Sequence, residues 1–322
     1  FLNNDRGKGI YSIKPAATLP KLTPDLVGDG GTKTDQPRPT PTNTPTSGTR
    51  FKPSLEPVVE HISIEVAVSY GSGATVDGPP VDLLLDLFLP DTGGLGPRPL
   101  AVYIHRGAFV AGSRIGQGVY KQAAQRGWVA ASIDYRLRGD NPLPGPRMQK
   151  MLDALGGPSS SALYRSVVAA VEDTLTALDY LLDRADELYI DPDRIVLIGA
   201  SAGAVTALNV AYAADNFGID RPDIAAVVDL WGSIPESFGE ESTMDPGEPP
   251  LFIIHGTEDK VVGFTRALNL VRGAESAGIH YEFHPQEGAG HGFGEIDPGT
   301  DTTVDGRSLE SAVFEFLDRV LY

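Results

Sequence analysis

From residue 51 onward, short apolar runs alternate with segments whose apolar residues recur at helical spacing. The apolar runs predict strands at residues 62–68, 83–89, 100–104, 128–135, 195–199, 224–230, 251–255 and 281–285. Helical spacing or composition predicts helices at residues 119–126, 163–182, 202–214, 267–277 and 308–321. The longest helix is expected to be broken by Asp191-Pro192-Asp193. Such alternation predicts an α/β fold with a mostly parallel central sheet and helices on both of its faces.

The first 50 residues follow a different pattern. Residues 32–50 are rich in Thr and Pro and almost free of large apolar side chains. Proline stiffens such a segment but gives it nothing to bury, which predicts an extended N-terminal segment or linker at residues 1–50. A disordered extension of no special role is the alternative. Residues 51–322 are then the folded catalytic domain.

Composition restricts the partners and the chemistry. The 322 residues carry a formal net charge of −17, which argues against nucleic acid as a partner. No apolar run approaches the roughly 20 residues that span a bilayer. The chain has no cysteine, so thiolate catalysis and disulfides are excluded. Because the chain begins with Phe1 and carries a Pro/Thr-rich segment, we expect a secreted protein.

One turn places a hydroxyl among very small residues. Residues 198–203 read Ile-Gly-Ala-Ser-Ala-Gly, directly after a predicted strand and before a predicted helix. Gly-x-Ser-x-Gly in this context is the pattern of a nucleophile elbow, in which glycines permit a tight turn that projects the serine oxygen. An ordinary Gly/Ser turn is the alternative. We therefore predict that Ser201 is a nucleophile.

A serine hydroxyl needs a base, and the base needs a carboxylate. His291 lies in a glycine-rich loop after the last predicted strand, which can deliver an imidazole to the sheet edge. Asp259 follows the strand before it, with the neighbouring Glu258 as its competitor. The order Ser201, Asp259, His291 is the order of an α/β-hydrolase triad. The other histidines are His61, His105, His255, His280 and His284.

An oxyanion formed during acyl transfer must be stabilised by backbone amides. Ala202, the residue after the nucleophile, is expected to supply one. The loop after the strand at residues 100–104 reads His-Arg-Gly-Ala-Phe, and Gly107 and Ala108 can present amides there with little steric obstruction. An ordinary strand–helix turn is the alternative reading of this loop.

These elements, taken together, resemble the α/β-hydrolase esterases over residues 51–322. The similarity is greatest to the carboxylesterase and hormone-sensitive-lipase-like group and to the feruloyl and acetyl-xylan esterase-like group. It is carried by YIHRGAFVAGS, ASIDYRL, IDPDRIVLIGASAG, LFIIHGTEDKVV and GAGHGF. The resemblance implies an α/β-hydrolase fold, with Ser201 as nucleophile, His291 as base and Asp259 as its partner. It also implies oxyanion donors at Gly107, Ala108 and Ala202.

One position departs from the pattern of these esterases. They usually carry His-Gly-Gly before the oxyanion donors, whereas Arg106 replaces the first glycine here. Arginine would be strained if that backbone needed a positive φ. We hypothesise that Arg106 contacts a carbonyl, hydroxyl or carboxylate of the substrate; a solvated arginine is the alternative. Trp231 and Phe293 are candidate pocket walls, with core packing as their alternative role.

The sequence offers little material for a cap over the site. The segment between Trp231 and Pro250 is short and acidic, and residues 138–161 form the other lid candidate. An open cleft of this kind favours short acyl groups or acyl groups carried by a polymer.

The predicted function is therefore a serine carboxylic-ester hydrolase that acts through an acyl-enzyme on short-chain or aryl esters of acetyl or feruloyl type. The substrate is a small molecule or a polymer-borne ester, and no metal or organic cofactor is expected. One alternative is a prolyl-oligopeptidase-like peptidase, although those enzymes generally carry a large gating domain and the first 50 residues could not form one. The other is a non-catalytic hydrolase-fold binding protein, although such proteins often lose the serine or the histidine.

Overall fold

The computed structural model describes residues 50–91, 96–115, 119–157, 161–293, 303–304 and 306–322, together with the backbone of residues 10–15. Its main sheet orders nine strands as β1-β2-β3-β5-β4-β6-β7-β8-β9 within these residues. The strands are β1 (Ile10–Pro15), β2 (His61–Gly73), β3 (Val81–Pro90), β4 (Arg98–Ile104), β5 (Val129–Ile133), β6 (Ile190–Ala200), β7 (Ala226–Leu230), β8 (Leu251–Gly256) and β9 (Tyr281–Gln286). A separate antiparallel pair joins β10 (Thr303–Val304) to β11 (Arg307–Ser308).

Strand β3 is the one strand of the main sheet that runs against its neighbours, since it pairs antiparallel with both β2 and β5. All other pairs in this sheet are parallel, so the predicted mostly parallel sheet is confirmed. Strands β4 and β6 are neighbours in the middle of the sheet, although β5 lies between them in the chain. The chain therefore changes direction across the sheet at this point, and ligands bind at such a switch in open α/β sheets.

Helices cover both faces of the sheet, as predicted. They are α1 (Val119–Gln125), α2 (Gln149–Ala154), α3 (Ala162–Asp183), α4 (Ala185–Leu188), α5 (Ala202–Leu208), α6 (Phe264–Ala277) and α7 (Leu309–Leu321). Buried residues of α3, α5 and α6 form one large apolar core with one face of the sheet. Buried residues of α1 and α7 form a second core with the other face.

The longest helix matches its predicted span of residues 163–182 but is not ended by the Asp191-Pro192-Asp193 run. Helix α3 ends at Asp183, and the short helix α4 ends at Leu188, before Tyr189, whose φ of 55° is left-handed. Asp191 lies within the start of β6, where its carboxylate accepts a hydrogen bond from Arg194 Nε at 2.7 Å. The Asp-Pro-Asp run thus begins a strand and does not end the helix. Helix α5 ends at Leu208, before the predicted end at residue 214, and a π-helix follows it at Asn209–Ala213.

Neither candidate lid segment contains a long helix among its described residues. Residues 138–157 contain two 3₁₀ turns and α2, whose Met151 and Leu152 are buried in the larger core. The segment between β7 and β8 contains two further 3₁₀ turns, and its Phe238 and Met244 are buried in the same core. Both segments therefore turn apolar side chains inward. Most of the predicted N-terminal linker lies outside the described residues, and its assignment stays a prediction.

A buried ion-pair network fixes the segment next to β5. Arg136 is 2% exposed and donates to Asp173 of α3 through Nη2 at 2.7 Å and to Glu172 at 2.8 Å. The same guanidinium donates to the carbonyls of Ala74 and Leu143. Because the charges are buried, the pairing offsets a large desolvation cost. Arg136 thereby joins α3, the β2–β3 connection and one lid candidate.

Candidate active site

The predicted elbow lies at the carboxyl end of β6. Ser201 has φ 51° and ψ −117°, directly between the last residue of β6 and the first residue of α5. A Cβ on Gly199 would lie 2.2 Å from the carbonyl oxygen of Gly203, and one on Gly203 would lie 2.0 Å from that of Ile104. Only glycine fits these two positions. They let α5 cross closely over β6 and bring the elbow against the end of β4.

Ser201, His291 and Asp259 form a continuous chain of hydrogen bonds. Ser201 Oγ lies 2.9 Å from His291 Nε2, and His291 Nδ1 lies 2.7 Å from Asp259 Oδ2. The Asp259 carboxylate accepts and does not donate, so Nδ1 carries the proton and Nε2 accepts from the serine hydroxyl. This tautomer is the one that a general base requires. Ser201 is 8% exposed.

The Asp259 carboxylate is held by its own loop. Its Oδ1 accepts hydrogen bonds from the backbone amides of Val261 at 2.8 Å and Val262 at 2.9 Å. Because both donors follow Asp259 in the chain, the loop folds back around the side chain. Oδ2 is thereby left to face His291.

The loop that carries Asp259 is joined to the loop that carries His291. The backbone amides of Thr257 and Glu258 donate to the carbonyls of Gln286 and Ala289 at 3.0 and 2.9 Å. A Cβ on Gly256 would lie 2.3 Å from the Ala289 carbonyl oxygen, so the two loops meet without space between them. This junction fixes the distance between the carboxylate and the imidazole.

A second histidine lies beside the Asp259 carboxylate. His255 ends β8 and is fully buried, and its Nε2 lies 2.7 Å from the carbonyl oxygen of Val262. The same Nε2 lies 3.3 Å from Asp259 Oδ2. Burial lowers the pKa of His255, which keeps the imidazole neutral. The sequence placed His255 at a strand end but did not connect it with Asp259.

The predicted oxyanion loop follows β4 and lies next to the elbow. Gly107 has φ 136°, and a Cβ there would lie 1.8 Å from the carbonyl oxygen of Ala111, so the position requires glycine. Ala108 and Phe109 also have positive φ values, of 53° and 60°. Ala202 begins α5, where the first backbone amides of a helix have no intrahelical acceptor. The three predicted donors thus lie in two segments, and Gly203 of the elbow packs against the Ile104 and His105 carbonyls at the start of the loop that carries two of them.

Aromatic stacking and hydrogen bonds hold the start of this loop. The rings of His105 and Tyr135 stack with centroids 4.1 Å apart, and the Tyr135 hydroxyl donates to the His105 carbonyl at 2.9 Å. His105 Nδ1 lies 2.8 Å from the Arg106 carbonyl oxygen, which means that Nδ1 donates. Burial lowers the pKa of His105. His105 is therefore a neutral structural side chain and not a second base for Ser201.

Arg106 lies at the rim of the site. It has no positive φ, so the substitution of arginine for glycine causes no left-handed strain at this position. Its side chain is exposed, and its Nη1 and the Trp231 ring both lie 3.8 Å from the point where a Cβ on Gly292 would stand. Trp231 is 1% exposed and Phe293 is 8% exposed, and their rings pack edge to face at 4.8 Å. Both rings are buried and belong to the second core.

A buried carboxyl lies behind the elbow. Asp229 of β7 is paired with Gly199 across the sheet, is fully buried, and accepts from the Gly232 amide at 2.7 Å. Its Oδ2 has no hydrogen-bond partner among the described residues. Burial raises the pKa of Asp229 to about 7, against the smaller opposing effect of the Gly232 amide. No motif in the sequence marked this group as part of the site.

The remaining candidates from the sequence lie elsewhere. Glu258, the competitor of Asp259, is exposed and contributes its backbone amide to the loop junction. His61 and His280 are exposed, and the His284 ring lies 4.8 Å from that of Phe252 in the core. Among the described residues, no group of three or more histidine and acidic side chains is arranged to hold a metal ion. In the same part of the chain, no helix combines the length and apolar character needed to cross a bilayer.

Two segments of the chain match known protein families. Residues 161–235, which include the elbow, match the BD-FAE family, and residues 232–321, which include Asp259 and His291, match the prolyl oligopeptidase family. The chain is 26% identical to esterase LipC of Mycobacterium tuberculosis over 258 residues, which cover 66% of this chain and 58% of LipC. It spans 58% or less of the length of the curated relatives that it matches.

Solved structures show the same architecture. The native thermophilic esterase 2 of Thermogutta terrifontis superposes with a TM-score of 0.57 at 23% identity, over 79% of this chain and 91% of that chain. MGS-M1, an α/β hydrolase enzyme from a Medee basin deep-sea metagenome library, superposes with a TM-score of 0.54 at 22% identity, over 78% and 98% of the two chains. At these identities the likeness establishes the fold.

Proposed function

Starting from the α/β-hydrolase fold of this chain, we propose that it is a serine carboxylic-ester hydrolase that works through an acyl-enzyme. The hydrogen-bonded chain from Ser201 through His291 to Asp259 carries this proposal. A serine at a strand-to-helix elbow, with a correctly protonated imidazole 2.9 Å away, is the arrangement that activates a hydroxyl for attack on a carbonyl. The esterase LipC and the T. terrifontis esterase 2 are consistent with it.

Each step of the reaction has a residue in place. Ser201 Oγ attacks the ester carbonyl carbon while its proton passes to His291 Nε2, and Asp259 stabilises the imidazolium that forms. The amides of Gly107, Ala108 and Ala202 stabilise the oxyanion. His291 then protonates the leaving alcohol, and the acyl group remains on Ser201.

Water completes the cycle by the same machinery. His291 removes a proton from a water molecule as its oxygen attacks the acyl carbon, and the second oxyanion occupies the same amides. Collapse of this intermediate releases the carboxylic acid, and His291 returns the proton to Ser201. No residue outside the named set has to move a proton.

We propose short-chain or aryl esters, of acetyl or feruloyl type, as substrates. The lid segments carry short helical turns and direct Phe238, Met244 and Met151 into the core. Little apolar surface is therefore left over the site to hold a long acyl chain. An open site of this kind also admits an acyl group that is attached to a polymer.

Arg106, Trp231 and Phe293 are the side chains that we propose meet the substrate. The exposed guanidinium of Arg106 stands at the rim, where it can donate to an acceptor oxygen of the bound ester. Trp231 and Phe293 support the acyl group from below as a packed wall. Replacement of Arg106 by glycine should lower kcat/KM for esters that carry a second oxygen acceptor. The matched control is Arg272→Gln, which also removes one positive charge but lies on α6.

The peptidase alternative rests on the match of residues 232–321 to the prolyl oligopeptidase family. The same three residues could also cleave an amide, so the triad does not distinguish an esterase from a peptidase. Relative activity on esters and matched amides does. The binding-protein alternative requires that Ser201 be unreactive. A fluorophosphonate that labels Ser201 would exclude it.

The first experiment measures hydrolysis of 4-nitrophenyl esters with acyl chains from two to sixteen carbons, together with methyl ferulate, acetylated xylan and matched amides. The wild type is compared with Ser201→Ala. We expect hydrolysis of short or feruloyl esters, no hydrolysis of amides, and loss of activity in the variant. Activity that survives in Ser201→Ala, or a wild type that hydrolyses no ester, would overturn the proposal.

A further inference from the structure

The Asp259 carboxylate is surrounded by nitrogen donors on both oxygens. Val261 and Val262 donate their amides to Oδ1, and His291 Nδ1 lies 2.7 Å from Oδ2. A carboxylate offers about four lone-pair sites, so these three bonds leave one on Oδ2. His255 Nε2 lies 3.3 Å from Oδ2, although its hydrogen bond is made to the Val262 carbonyl at 2.7 Å. The Asp259 side chain has no exposed surface.

The tautomer of His255 follows from its neighbours. Nε2 faces two oxygens that can only accept, the Val262 carbonyl at 2.7 Å and Asp259 Oδ2 at 3.3 Å. Nε2 must therefore carry the proton. Nδ1 is buried and has no hydrogen-bond partner among the described residues. The side chain thus leaves one polar atom unpaired in the interior, a cost that a purely apolar residue at this position would avoid.

His255 also closes the loop that presents the carboxylate. Val262 donates its amide to Asp259 Oδ1 while its carbonyl accepts from His255. His255, near the end of β8, is therefore hydrogen-bonded to the Val262 carbonyl, and the Val262 amide is hydrogen-bonded back to Asp259. This closed ring of contacts fixes where the carboxylate stands relative to the end of the strand.

We propose that His255 is a positioning residue for the triad, which holds Asp259 and its loop so that Oδ2 faces His291. The inference rests on the proposed nucleophilic role of Ser201, because His255 touches neither the substrate nor the reacting atoms. It acts through the Val262 carbonyl and the Asp259 carboxylate. Without it, the loop loses the hydrogen bond to the Val262 carbonyl that closes it, and Oδ2 loses the N–H dipole 3.3 Å away.

The test compares His255→Leu with His255→Gln in the full chain, using steady-state kinetics on a short 4-nitrophenyl ester. Leucine removes the donor, whereas the side-chain amide of glutamine can place a donor near the position of Nε2. We expect His255→Leu to lower kcat by about 10- to 100-fold with little change in KM, because misplacement of a catalytic group acts on the chemical step. We expect His255→Gln to recover most of that loss.

A second readout does not depend on turnover. The His291 Nδ1 proton in its hydrogen bond to Asp259 gives a low-field proton NMR resonance, which should weaken or shift upfield in His255→Leu and return in His255→Gln. The control is His284→Leu, which removes a histidine from the neighbouring strand β9 without touching Asp259. Its kcat and its low-field resonance should match the wild type.

The outcomes are distinct. Wild-type kcat and an unchanged resonance in a folded His255→Leu would overturn the positioning role while the ester hydrolase proposal stands. A glutamine variant as impaired as the leucine variant would also overturn it. If the wild type hydrolyses no ester, the proposed function fails, and the resonance still decides whether His255 holds Asp259.

Discussion

A methyl group at position 203 should separate the elbow from the end of β4. The Cβ of Gly203→Ala would lie 2.0 Å from the carbonyl oxygen of Ile104 and 2.8 Å from that of His105. Side-chain Cβ atoms essentially never approach another atom more closely than 3.0 Å. Both neighbours are backbone atoms, which cannot rotate away as a flexible side chain could. The elbow and the strand end must therefore move apart by about 1 Å.

That movement changes the geometry of the reaction. Ser201 and Ala202 lie on one side of the contact, and the oxyanion loop begins at His105 on the other. A displacement of about 1 Å in a catalytic group lowers the rate by roughly 100-fold, which corresponds to about 2.7 kcal/mol of transition-state stabilisation. Overpacking of this kind also lowers the free energy of unfolding by about 1–3 kcal/mol.

The assay is kcat/KM on a short 4-nitrophenyl ester, read beside the thermal unfolding midpoint. Gly263→Ala is the matched control, since a Cβ there has nothing within 4 Å and its φ of −56° suits any residue. We expect the control to behave as the wild type. Wild-type activity and an unchanged midpoint in Gly203→Ala would show that the elbow does not rest on β4 as described.

Three further changes have defined expectations. Asp259→Asn should keep the fold but lower kcat by roughly 10⁴-fold, because the amide favours the wrong imidazole tautomer; near-normal turnover would contradict that role. Asp229 keeps its proton in the folded state up to a pH of about 7, whereas the unfolded chain loses it near 4. Its folded pKa is raised, so wild-type stability should fall by up to about 4 kcal/mol as pH rises through that window, relative to Asp229→Asn. Urea unfolding measures this at pH 5 and pH 8, and an equal change in the free energy of unfolding for the wild type and Asp229→Asn would refute it. Asp173→Asn leaves Arg136 without its closest buried partner and should cost about 3–5 kcal/mol in urea unfolding, whereas loss of an exposed pair such as Arg184–Glu187 through Glu187→Gln should cost less than about 1 kcal/mol.

The sheet and its helices were predictable because buried strands and buried helix faces are built from apolar residues at regular spacing in the sequence. The strands β5, β7 and β8 are mostly apolar runs that lie within two residues of their predicted bounds, whereas β6 begins five residues before its predicted start. The role of the Asp191-Pro192-Asp193 run was not predictable in this way. The run lies in β6, where Asp191 accepts from Arg194, and Arg194 also donates to the carbonyls of Phe51 and Pro97, which are distant in the sequence.

The catalytic candidates were identifiable because each lies in a turn or loop that follows a predicted strand. The elbow and the loop of His291 are also rich in glycine, whereas the loop of Asp259 has one glycine, Gly256, at its start. His255 and Asp229 have no such local signature, since their roles depend on neighbours that the fold brings together. For His255 the one available signal is its position near the end of β8, four residues before Asp259.

Ser201 has a consequence for the molecule as a whole. Its φ of 51° and ψ of −117° lie where a side chain is unfavourable, at a cost of about 1–3 kcal/mol. The surrounding protein must hold this residue in place, so reactivity and thermal robustness are opposed at a single position. Ser201→Ala and Ser201→Gly should both be inactive, yet only glycine relaxes the backbone. The glycine variant should therefore unfold at the higher temperature, as expected where activity has been favoured over stability.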